Sequence, residues 1–280
     1  RKLLFLFIII SFTQTLSAQT EWLPKGRIFQ PNYLDPLEAQ AFLTITGYSR
    51  EEKSPKSDRI NVPFGFGFYK AIARKEKEDG KKWEFGADFM VISQFSWRYE
   101  TDWNAYQRRL LSTDYRVGGI VSYQPKEDLS LRFRFYHLSA HWGDDYIIYN
   151  SINNFEDSIF NYEQVDLTFS KQKGDWTLFG GLGYVLAPKK DFDGATIQLG
   201  ANWSKEKSET FRWVAGTDIK MLQFYDFRPN AKIAAGIELG KLENKPVKFM
   251  LEYFNGYTPY ATTTSKTVQW LGGGIYLQPF

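Results

Sequence analysis

The 280-residue chain contains no cysteine, so neither a disulfide nor a thiolate metal site can form. Histidine is nearly absent: there are two, His137 and His141. An excess of one charge is missing as well. Thirty-five Lys and Arg against 32 Asp and Glu leave a formal charge of +3, which gives no general drive toward nucleic acid. After Tyr33 no apolar run approaches the ~20 residues of a spanning helix. The mean hydropathy of −0.42 is too polar for a helical membrane protein. It suits a membrane barrel, in which alternate residues of every strand face a polar interior. Aromatic residues, by contrast, are abundant at 18%.

Arg1 and Lys2 precede an apolar run, Leu3 to Ile10, and a polar stretch leads to Leu16-Ser17-Ala18. This pattern predicts a signal peptide over residues 1–18. As a membrane anchor the run is too short, at about half the required length. Residues 19–37 contain Pro24, Pro31 and Pro36 and little periodicity. They predict an extended segment packed at one end of the domain that follows.

From Glu38 to Phe280 the chain alternates apolar and polar residues in about twelve runs, the pattern of an antiparallel β-barrel. Trp83 to Trp97 is one such run and Phe211 to Ile219 another. A soluble β-sandwich also alternates. Three features favour the membrane. Many runs exceed the ten or so residues that cross a bilayer when tilted. Mostly long connections near 50–61, 98–110, 143–158, 188–193, 222–230 and 255–266 alternate with short, charged ones near 76–81, 124–128, 171–175, 204–209 and 240–246. Tryptophans mark the strand ends, with Trp83, Trp176 and Trp203 at the short turns and Trp97, Trp142 and Trp270 at the long loops, as two interfacial girdles would. The opposite parity carries both signs of charge, among them Glu84, Asp88, Arg116, Arg132, Arg134, Asp218 and Glu252. In a narrow lumen these charges pair rather than line a wide pore.

The fifth run, LSLRFRFYHLSAHW, contains both histidines. Carried on without a break, its period of two puts His137, Ser139 and His141 on the apolar, lipid-facing side with Leu131 and Phe133. With long loops outside, they lie at the outer leaflet. Residues two apart on a strand are about 6.8 Å apart and point the same way, so an imidazole can reach a hydroxyl at that spacing. Ser139 is then a candidate nucleophile and His137 its base. By parity with Val165 and Leu167, Asn161 and Glu163 of the next strand face outward too, and either can orient the imidazole. Asp144 and Asp145, just beyond, are candidate calcium ligands able to polarise an ester carbonyl. One ion shared by His137 and His141 is excluded without a bulge, because four residues of strand separate them by about 13.6 Å. A bulge near Tyr136 would turn the whole motif into the lumen. Gly272-Gly273-Gly274 reads as close strand packing, since no Lys or helix start follows to make a phosphate loop.

The His-x-Ser pair resembles the arrangement in outer-membrane phospholipase A and the lipid A 3-O-deacylase. That resemblance implies an outer-leaflet lipid acyl hydrolase. LPKGRIFQPNYLDP together with RFRFYHLSAHWGDDY is similar to an uncharacterised bacterial outer-membrane family, domain of unknown function family 1207. It implies location and architecture without an activity. The last strand, TVQWLGGGIYLQPF, resembles the terminal strand by which such barrels are recognised, and implies the barrel-assembly machinery as a partner through Phe280. The reading favoured by the sequence is a Gram-negative outer-membrane β-barrel with no chemistry of its own, structural or a narrow channel. The alternative is a serine hydrolase of outer-membrane lipid, with calcium as its one candidate cofactor. A soluble β-rich binding protein is a third.

Overall fold

The computed structural model describes residues 20–51, 60–100, 104–149, 151–152, 159–188, 194–260 and 267–278. The expected signal peptide and Phe280 lie outside them. A short strand β1 (Thr20–Trp22) precedes twelve long ones: β2 (Ala41–Glu51), β3 (Ile60–Glu76), β4 (Lys82–Glu100), β5 (Ala105–Lys126), β6 (Leu129–Trp142), β7 (Ile159–Lys173), β8 (Trp176–Pro188), β9 (Gly194–Ser208), β10 (Phe211–Leu222), β11 (Pro229–Leu239), β12 (Val247–Tyr257) and β13 (Thr267–Leu277). Each of the twelve pairs antiparallel with its neighbour in sequence, and β13 closes on β2 with Gly273 opposite Ile45. The result is a closed antiparallel barrel. Closure leaves no sheet edge with unpaired backbone groups, as a barrel in lipid requires. Among the described residues no helix is long and apolar enough to cross a membrane, which says nothing of strands.

The alternation has the expected direction. Phe66, Phe85, Val117, Phe133, Phe135, Leu167, Ile233 and Leu251 are exposed outward. Glu84, Asp88, Arg116, Arg132, Arg134, Asp218 and Glu252 are buried inside. Arg116 grips Asp88 with two bonds of 2.7 Å, Lys248 meets Glu238 at 2.7 Å and Lys232 meets Glu252 at 3.0 Å. These six interior charges are therefore paired.

The N-terminal segment departs from expectation. It does not pack at one end; it runs inside the barrel. Trp22 of β1 sits opposite Ala73 near the short-turn end of β3. Beyond it, Asn32 donates to Asp218 at 2.9 Å and the Tyr33 hydroxyl to the Ala215 carbonyl at 2.7 Å. Asp35 accepts from Lys220 at 2.5 Å, and Glu38 takes both guanidinium nitrogens of Arg132, at 2.7 and 2.5 Å. Tyr33 and Leu34 pack with Met90, Ile92, Val214, Ala234, Met250 and Tyr276, drawn from five strands around the wall. The wall makes room for the insert. A Cβ on Gly200 would stand 2.4 Å from Asn32 Nδ2 and 2.9 Å from the Thr217 carbonyl oxygen. The first barrel strand begins at Ala41, so the inserted stretch extends through Gln40.

Two further corrections are local. The stretch 98–110, expected as a loop, is mostly strand: β4 runs to Glu100 and β5 resumes at Ala105. Its polar sequence hid a hairpin in which Tyr99 and Tyr106 pack edge to face, and the register shift after Gln94 disturbed the alternation. Trp270 is no girdle residue. It is buried inside, stacked between Phe254 (centroids 4.0 Å apart) and Tyr48 (5.5 Å). Trp142, at the last position of β6, stacks on Tyr146 at 4.2 Å. Trp83, Trp97 and Trp176 are exposed as expected.

Candidate functional site

The upper end of β6 is built by unbroken pairing on both sides. On one side Val117, Tyr115 and Thr113 of β5 stand opposite His137, Ser139 and His141. On the other, Glu163, Asn161 and Ile159 of β7 stand opposite the same three. Neither ladder shifts register there, so no bulge flips the motif inward. Phe133 and Phe135 are exposed while Arg134, Tyr136, Leu138 and Ala140 are buried. His137, Ser139 and His141 therefore face outward with Tyr115 and Val117, and His137 keeps 42% of its side chain accessible.

The cross-strand register fixes which groups meet. His137 Nδ1 lies 2.8 Å from Glu163 Oε1. Ser139 Oγ lies 3.0 Å from His141 Nε2 and donates to Asn161 Oδ1, also at 3.0 Å. The Tyr115 ring stands edge-on to His141, centroids 6.4 Å apart. Parity places all five polar groups on this face, but the sequence carries no sign that His141 rather than His137 holds the serine hydroxyl. Glu163 braces His137, as an orienting carboxylate would. Asn161 contacts the serine instead of an imidazole.

Asp144 and Asp145 open a short helix, α1 (Asp144–Tyr149). The Asp145 carboxylate accepts the Leu110 backbone N–H at 2.9 Å and so ties α1 to β5. Among the described residues no group of three or more His, Asp or Glu is placed to hold a metal ion.

This chain is matched over residues 8–278 by the model of a family described as "Protein of unknown function (DUF1207)". It belongs to that family. No curated protein matches it. Among solved structures it resembles the outer-membrane phospholipase A of Escherichia coli, with a TM-score of 0.57 at 12% identity over 85% of this chain and 90% of that one. The calcium-bound dimer of the Salmonella typhi outer-membrane phospholipase gives the same values. An active-site mutant of the Escherichia coli enzyme gives 0.58 at 13% identity, covering 89% and 95%. At such identities the likeness concerns the fold: a barrel of the outer-membrane type, here in a member of the DUF1207 family.

Proposed function

We propose that this barrel resides in the outer membrane of a Gram-negative bacterium and hydrolyses acyl esters of outer-leaflet lipid, with Ser139 as nucleophile. The observation that carries this reading is the outward cluster itself. One hydroxyl lies 3.0 Å from an imidazole, and a second imidazole two residues away is braced by a carboxylate at 2.8 Å. Polar side chains near the interface of a barrel cost little, so their presence alone decides nothing. Their arrangement carries more: a hydroxyl bonded to one imidazole and a second imidazole bonded to a carboxylate share one outward face where a lipid ester would lie. His137 serves as base because Glu163 occupies its Nδ1. A carboxylate only accepts, so Nδ1 carries the proton and Nε2 presents a lone pair. This role requires Ser139 Oγ to leave His141 and turn about χ1 toward His137 Nε2. The fatty acid and the deacylated lipid leave directly into the bilayer.

The reading without chemistry has one observation in its favour. The lumen holds the chain's own segment, bonded to the wall at Asp218, Lys220 and Arg132, which suits a structural barrel and opposes a narrow channel. The discriminating experiment is acyl release by purified, detergent-refolded protein from mixed micelles of phospholipid or lipopolysaccharide, with and without Ca²⁺. Wild type is expected to release fatty acid, and Ser139→Ala to fall by at least ~10³-fold. Equal rates in the two proteins would sink the hydrolase.

A further inference from the structure

The proposed reaction passes through a tetrahedral intermediate whose negative oxygen needs hydrogen-bond donors. In many hydrolases backbone amides supply them. Here they cannot. Ser139 sits inside a continuous ladder, opposite Tyr115 on one side and Asn161 on the other, and pairing runs unbroken from Leu131 to His141 on both flanks. Every amide beside the nucleophile is committed to a neighbouring strand, in the plane of the sheet and away from the face on which the ester would sit. Among the groups the strands themselves supply, the donor comes from a side chain on that face.

Counting protons identifies it. The Ser139 hydroxyl has one hydrogen, and it goes to Asn161 Oδ1. The contact of 3.0 Å between Ser139 Oγ and His141 Nε2 then needs its hydrogen from the imidazole. His141 is the Nε2–H tautomer and aims a donor at the reacting centre. His137, with Nδ1 on Glu163, is the opposite tautomer and offers an acceptor. Two histidines four residues apart thus present complementary faces to the serine between them.

We infer that His141 is the oxyanion donor of this site, while His137 is its base. The inference rests on the hydrolase reading. Ser139 Oγ gives its proton to His137 Nε2 and bonds to the ester carbonyl carbon. The C=O π pair moves onto oxygen and is held by His141 Nε2–H. As the tetrahedral adduct collapses, the carbon–alkoxide bond breaks and the departing oxygen takes the proton from His137. Water repeats the sequence on the acyl-enzyme: its proton goes to His137, its oxygen bonds to the acyl carbon, and Ser139 Oγ leaves with that proton. His141 keeps its own hydrogen throughout, so both half-reactions balance.

Glutamine separates the roles, because its amide donates a hydrogen bond and is no base. All four histidine variants lie on the outer face, and each is first shown to be a folded barrel by circular dichroism. In the micelle assay, His141→Ala is expected to lose ~10²- to 10³-fold in kcat. His141→Gln should recover to within about tenfold of wild type. His137→Ala and His137→Gln should be equally inactive, at least ~10²-fold down. The mirror pattern, with His137→Gln active and His141→Gln dead, would overturn the assignment and make His141 the base. Failure of His141→Gln to recover would overturn it as well. Full activity in Ser139→Ala is a different failure, because it removes the hydrolase reading itself.

Discussion

Ser139 has two bonded neighbours, and the proton count at its hydroxyl sets the chemistry around it. Glu163 acts one step away, through His137. Glu163→Gln is expected to lower kcat by about 10²- to 10⁴-fold, since an amide can donate to Nδ1 and select the wrong tautomer. KM for the micellar substrate should stay within about threefold, and a split between kcat and KM checks it. At this scale the sequence showed which residues share a face. It did not show which atoms touch. That depends on the register of β7 against β6, which sets Glu163 beside His137 and Asn161 beside Ser139. The connection between those strands is long, so no turn geometry fixes the register in advance.

Among the elements, the strands were legible and the insert was not. Alternation over fixed stretches gave β4, β6, β10 and β12 directly. The β4–β5 extension is hidden because the polar and charged residues of 98–110 look like loop, although Tyr99 and Tyr106 belong to strands there. Residues 23–40 have no period to read, and their place is fixed by partners far along the chain, such as Asp218 for Asn32 and Arg132 for Glu38. Glu38 also lies 3.6 Å from Arg134. Removing its carboxylate leaves two buried guanidiniums with fewer counter-charges. Glu38→Ala is accordingly expected to destabilise the refolded barrel by about 3–5 kcal/mol, read as a lower urea midpoint at unchanged slope.

For the whole molecule, closure of twelve strands around a bonded insert predicts electrical silence. Wild-type protein in planar bilayers should conduct little. Removing residues 23–40 should open the lumen and give steady single-channel currents, unless the shortened chain fails to refold, which a circular dichroism spectrum would show beforehand. Large conductance in the intact protein would refute the filled lumen. The barrel class followed from composition and alternation alone, because a polar mean hydropathy with strand-length periodicity has few other solutions. That the interior is packed rather than porous followed in outline from its mixed charges. The identity of the packing did not.

The threaded segment also constrains assembly. Its bonds to β6 and β10 span 94 to 186 positions of chain, so they form only once most of the wall exists. The seam between β2 and β13 lies immediately downstream of Gln40. A closed cylinder offers no side entrance, so we expect the inserted segment to be seated before the last strand zips to the first, rather than threaded later through an end. Amide protons of residues 28–40 should then exchange with solvent no faster than those of the seam itself, both waiting on the same global opening.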